Sequence, residues 1–157
     1  MDIILKEIVA IIKEETENIN KKIYGTTFLE ILKEKILNRQ DQIITKNLQV
    51  QNFNIDLEAN INVLEKNFFF KLSLYQTPKS LLKFELKKNF LFIAIKEFAK
   101  IDILNQNTQK YINFSLKPLM GITLSKGTVC NLNFPKNSLI MQLEYDEVDF
   151  DVEKKQD

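Results

Sequence analysis

The reactive side chains of this 157-residue sequence are 21 carboxylates, 21 lysines, one arginine and one cysteine, with no histidine at all. Nucleophilic catalysis by serine or cysteine normally borrows a neighbouring imidazole as base, so the Ser-His-Asp and Cys-His arrangements are excluded. Cys130 lies in the β-like run Thr128-Val129-Cys130-Asn131-Leu132, and free cysteine is among the most buried residue types, so a core role is expected for it. One cysteine cannot build a zinc site. Gly25, Gly121 and Gly127 are too scattered to cradle a phosphate. Paired carboxylates are the one catalytic chemistry left, because two acids can meet in space without any signature in sequence. Most of the acids, however, fall on helix outer faces, alternating strand positions or the C-terminal segment. The expectation is no catalytic, cofactor-binding or metal-ligating residue, no cofactor, and no enzyme; a carboxylate-based enzyme ranks third among the readings.

Two charged clusters invite sharper readings. Residues 144–157 carry a net charge of −5 and the remainder +6. Asp149-x-Asp151 starts like a calcium loop, but the central glycine and distal glutamate of an EF-hand are missing. Val148, Phe150 and Val152 alternate with acids instead, as in a charged edge strand or a docking tail with apolar anchors. The second cluster sets Lys83, Lys87, Lys88, Lys96 and Lys100 among Phe84, Phe90, Phe92 and Phe98. Stacking on nucleic-acid bases needs aromatics exposed beside the charges. Here Lys83 and Lys87 have the parity opposite to Phe84, so a solvated face over a buried phenylalanine core is expected. With a net charge of +1 and a single arginine, Arg39, nucleic acid is not the expected partner.

Those residues need a frame, and the period of the apolar positions supplies it. Leu5, Ile8, Ile12, Ile19 and Ile23, widened by Ile4 and Ile11, predict an amphipathic helix over about 2–23. Asp2 would cap it, Glu17 and Lys21 would pair on its outer side, and Gly25 would end it. Thr27-x-x-Glu30 reads as a capping box opening a second helix, with Phe28, Leu29, Leu32 and Ile36 inward and an end near Asn38. Beyond residue 42 the period becomes two: Phe53, Ile55, Leu57, Ala59, Ile61 and Val63 alternate with polar residues. Leu48 and Val50 have the other parity, which places a bulge near Gln51-Asn52. Phe68, Phe70, Leu72 and Leu74 follow, then Leu82, Phe84 and Leu86, then further short strands parted by Asn, Pro and Gly turns. The expected fold class is α+β. An N-terminal helical hairpin packs on a mainly antiparallel, curled or barrel-like β-meander. One domain is expected over 1–145, with helices in about 2–38 and strands in about 43–145, followed by an acidic segment 146–157.

Phe90 through Ile95 breaks the half-buried pattern by being apolar at both parities, so both faces of that strand must be covered. The helices can cover one. A sheet closed on its own core, a second subunit or an apolar ligand would cover the other. The functional expectation is therefore a non-enzymatic interaction module. It would engage a protein partner, or a second copy of itself, through Phe69, Leu91, Ile93 and Ile95 or through Val148, Phe150 and Val152. The alternative is an intracellular carrier of a lipid or other apolar small molecule held by the curved sheet. No apolar run approaches the ~20 residues of a membrane-spanning helix. The mixed charges of the first residues do not resemble a secretory leader, so a cytoplasmic location is expected.

Overall fold

A computed structural model describes residues 3–18, 25–41, 43, 56–63 and 66–145. The two apolar stripes form helices, α1 (Ile3–Asn18) and α2 (Gly25–Asn38). Ile4, Leu5, Ile8, Ile11 and Ile12 of α1, and Phe28, Leu29, Leu32 and Ile36 of α2, are buried. Glu15 reaches Lys35 at 3.4 Å and Glu14 reaches Arg39 at 3.2 Å. Such partly exposed pairs contribute only about 0–1 kcal/mol each, so burial of the two stripes is what holds the helices in place. The joint over 19–24, and with it the expected hairpin turn and the Glu17–Lys21 pair, lies outside the described residues.

Nine strands follow among the described residues: β1 (Asp56–Val63), β2 (Lys66–Tyr75), β3 (Lys79–Glu85), β4 (Asn89–Lys96), β5 (Ala99–Asn105), β6 (Lys110–Leu116), β7 (Met120–Leu124), β8 (Val129–Phe134) and β9 (Ser138–Tyr145). Their pairing is antiparallel throughout. The α+β class is as expected, but the meander is not. The strands divide into a five-stranded sheet, order β1-β2-β9-β4-β7, and a four-stranded sheet, order β3-β8-β5-β6. Neither closes into a barrel, and only β1-β2 and β5-β6 join consecutive strands. Elsewhere the chain switches sheets, turning through left-handed residues such as Glu97 (φ 64°), Leu119 (φ 63°), Gly127 (φ 89°) and Asn137 (φ 67°). Alternation in sequence reports which face a residue takes; it carries no information on which strand lies beside it.

The five-stranded sheet is the middle of three layers, and β4 shows why. Its Leu91, Ile93 and Ile95 join the core shared with α1 and α2. Phe90, Phe92 and Ala94, of the other parity, join the core between the two sheets with Leu124, Leu132 and Phe134. Both covers come from the chain itself. Aromatic rings tie the layers: Phe28 of α2 meets Phe68 and Tyr145 edge-on at 5.8 and 5.3 Å, and those two rings stack at 4.8 Å.

Three local expectations are corrected. Helix α2 starts at Gly25, so Thr27 stands inside its first turn rather than at its cap. Glu30 does not reach back to close a capping box. Its Oε1 accepts hydrogen bonds from Lys33 Nζ and Thr123 Oγ1, both at 2.9 Å, which fastens α2 to β7. Close approach is possible there because Gly121 has no side chain: a Cβ on it would stand 3.0 Å from the Lys33 stem and 3.1 Å from Ile93. Leu82, expected inward, is 71% exposed. A register shift between Leu81 and Phe84 turns it out, and Leu81 packs inward in its place. Lys83 takes the left-handed turn (φ 51°), its N–H donating to Asn131 Oδ1 at 2.9 Å. The bulge expected at Gln51-Asn52 lies outside the described residues.

Two outcomes follow from these contacts. Phe92→Ala and Ile93→Ala should each destabilise strongly, by roughly 3–5 and 2–5 kcal/mol, because both side chains are buried in opposite cores. Urea denaturation reads this, and a loss below about 1 kcal/mol at either would mean that face is open to water. The second concerns Glu30. Burial raises its carboxyl pKa, but hydrogen bonds from Lys33 and Thr123, together with the Lys33 charge, outweigh it and hold the group below the ordinary value. A depressed folded value gives stability that is present above the unfolded pKa and is lost as pH falls through the folded one. The stability gap between wild type and Glu30→Gln should therefore be larger at pH 7 than at pH 3, within the ~0–1 kcal/mol of a partly exposed pair. A gap that does not change with pH contradicts the assignment.

Candidate ligand-binding cleft

Phe98 is the one phenylalanine of the lysine–phenylalanine cluster that the fold leaves substantially in solvent, at 50% exposed. The cause is local. Glu97 takes a left-handed conformation between β4 and β5, after which Ala99 and Ile101 point into the inter-sheet core. Lys100 and Asp102, of the opposite parity, belong to the outward side of β5, and Phe98 immediately precedes the strand. Phe84, Phe90 and Phe92 behave as expected, lying half-buried or buried beneath the exposed lysines.

A cleft of about 380 Å³ opens beside Phe98, where the starts of β3 and β5 meet the end of β8. Phe134, one of the residues lining it, is fixed by stacking on Tyr75 at 4.9 Å and by contact with Phe92 at 6.4 Å. Pro78, Pro135 and Phe98 line the cleft together with Lys79, Lys100 and Glu97. Ser80 Oγ donates to Asn133 Oδ1 at 2.7 Å, which leaves the two Nδ2 hydrogens of that amide to point elsewhere. Lys79 Nζ lies 6.0 Å from the Tyr75 ring centroid, a cation–π arrangement that positions the ammonium near the cleft. Backbone bonds brace the surround: Asn137 N–H donates to Tyr75 O at 2.7 Å and Ser138 N–H to Pro135 O at 3.1 Å. The arrangement can stack a flat apolar group and offer cationic and amide donors at its edge.

Among the described residues, those expected to form the contact surface do not form an exposed one. Leu91, Ile93 and Ile95 are buried beneath the helices, and Phe69 is half-buried on β2. Val148, Phe150 and Val152 lie outside the described residues. The curved-sheet interior assigned to a lipid is filled by Phe90, Phe92, Cys130, Leu132 and Phe134. Cys130 is a core residue as expected, its thiol donating to Phe84 O at 3.7 Å. Among the described residues no group of three or more acids or cysteines is placed to hold a metal, and no helix is long and apolar enough to cross a membrane. Sequence reasoning set Phe98 and Lys100 aside as part of a nucleic-acid pattern. Their shared parity against Ala99 and Ile101 was the signal that would have singled them out.

No family model matches the chain and no curated protein matches it. Solved structures do resemble it. A cupin superfamily protein from Desulfitobacterium hafniense is 13% identical with a TM-score of 0.42, over 62% of this chain and 83% of that one. An oxalate oxidase in complex with the substrate analogue glycolate is 9% identical, TM-score 0.41, over 62% of this chain and 53% of the oxidase. A vicilin from tomato, Solanum lycopersicum, is 15% identical, TM-score 0.41, over 52% of this chain and 22% of the vicilin. Oxalate decarboxylase is a further neighbour, at 10% identity and a TM-score of 0.43. Neighbours this distant transfer neither residues nor activity. The expectation of a non-enzymatic module that engages a partner through an apolar sheet face is corrected on physical grounds: the chain covers its own apolar sheet faces.

Burial pushes the Cys130 thiol up to about 11, so at pH 8 it stays protonated and shielded. A thiol-reactive dye should label the native protein at pH 8 only slowly and the urea-unfolded protein at once. Equal rates would show the β3–β8 region opening freely.

Proposed function

We propose that the chain, acting as one α+β domain over residues 1–145, binds a small organic anion with a flat apolar body in the cleft beside Phe98. The observation that carries this reading is the convergence of Phe98, Phe134, Pro78 and Pro135 with Lys79 and Lys100 around one concavity of about 380 Å³. That volume is in the range of small-molecule sites, which pair an apolar lining with a few placed polar groups. Two lysines face one carboxylate, Glu97, so the opening favours a ligand of negative charge. Desolvation of the ligand's flat face against Phe98 supplies affinity, and Lys100 and the Asn133 amide orient its anionic group. The ammonium and amide donors suit carboxylate and phosphate alike.

Calorimetric titration with 2-methoxybenzoate tests this, with 2-methoxybenzyl alcohol as the neutral control. The anion should bind and the alcohol should bind roughly tenfold more weakly, a difference of about 1.4 kcal/mol. Phe98→Ala and Lys100→Gln should each weaken the anion by a similar factor, without lowering the melting temperature, since both side chains are exposed. Equal affinity for the anion and the alcohol, or an unchanged affinity in both variants, would overturn the reading.

A further inference from the structure

Along one side of the sandwich, the rim of the inter-sheet core is apolar and open to solvent. Strand β6 ends the four-stranded sheet and β7 the five-stranded one, so each has one unpaired ladder edge among the described residues. A turn over 117–120, in which Met120 N–H donates to Lys117 O at 3.0 Å, joins the two strands and brings both edges to the same side. Ile112 and Phe114 pair with Ile103 and Ile101, while Met120 and Ile122 pair with Ala94 and Phe92. All four therefore point between the sheets, toward the core that Phe92, Ala94 and Ile101 share. Yet Ile112 is 50% exposed, Met120 46% and Phe114 41%. Inward-facing side chains of that size, gathered on one rim, call for a further cover.

The chain carries a segment of matching pattern, and it starts from the right end of the sheet. Glu144 pairs with Phe90 and Phe90 with Leu124, so β9 finishes at the end where β7 finishes. From Glu147 to Glu153, acids then alternate with Val148, Phe150 and Val152, the period of a strand with one apolar face. At ~4.8 Å per strand, a strand beyond β7 would lie roughly 14 Å from β9. The chain from Tyr145 to Phe150 extends up to ~17 Å, which is enough to cross. Charge agrees as well. The turns at this end carry Lys87, Lys88 and Lys126, and β6 begins there with Lys110. Residues 146–157 hold six acids against two lysines. We infer that this segment is the cover: it adds to the free edge of β7, with Phe150 and Val152 turned inward over Phe114 and Ile122. A chain leaving β9 at this end must run back along β7, so the added strand is antiparallel to it. The rim is separate from the Phe98 cleft, which lies at the opposite end of the sandwich, and its cover does not depend on the anion reading.

Hydrogen exchange of the full chain, read by NMR, tests this. Amides on the outer edge of β7, and those of residues 150–152, should exchange roughly tenfold or more slower than in an unstructured chain. With Phe150→Asp and Val152→Asp together, both groups should lose that protection. Amides of β4 and β9 should keep theirs, which shows that the sandwich is still folded. Exchange at residues 150–152 of the wild type at the rate of an unstructured chain overturns the inference without recourse to any variant. Protection of β7 that survives the double substitution overturns it too. Protection that rises with protein concentration would assign the cover to a second copy, and the inference falls.

Discussion

The middle sheet has to be dry on both faces, and the rest of the molecule is arranged around that requirement. Strands β4 and β9 are buried at nearly every position, and each side chain of the size of leucine or phenylalanine contributes about 1.5–3 kcal/mol when fully buried. Two helices are enough to cover one side. The other side needs an equally broad apolar surface, which the inward parities of β5 and β8 provide. The four-stranded sheet is thus present chiefly as a lid on the five-stranded one, and its own outer side is free to carry polar residues. That freedom is why the ligand site is proposed there.

The helices and the strand faces were legible in the sequence because both rest on local periodicity. Phe28, Leu29, Leu32 and Ile36 mark the inner side of α2 by spacing alone, and Phe68, Phe70 and Leu72 mark that of β2. The need for two covers over Phe90–Ile95 was legible for the same reason. Strand order was not. Whether β2 lies beside β3 or beside β9 depends on turns such as Glu97, Leu119 and Asn137, where a non-glycine residue takes a left-handed conformation that composition does not advertise. The Leu82 error has a similar origin. One left-handed lysine, held by an asparagine 48 positions away, shifts the parity of everything before it.

The site was half legible. Phe98 and Lys100 were both noticed, but as parts of a basic-aromatic cluster rather than as exposed neighbours at the start of β5. Lys79, Asn133 and Pro135 were invisible as a group, because only the pairing of β3, β8 and β5 brings three distant segments to the same row. The glutamate expected to close a helix cap serves instead as a clamp between α2 and β7. Its spacing to Thr27 matched a local motif, and a tertiary hydrogen bond to Thr123 took precedence over it.

The position of β9 has a consequence for how the chain is made. It is the last described strand, yet it lies between β2 and β4 in the middle of the five-stranded sheet. During synthesis from the N-terminus, β1 and β7 can take one ladder edge each of β2 and β4, and β5 and β8 can cover the outer face of β4, but the two edges that face each other stay unpaired until residues 138–145 appear. Pairing over such long separations is slow, and unpaired apolar edges are where chains associate wrongly. A ribosome-bound chain stopped just short of β9 would therefore be the species most in need of a chaperone.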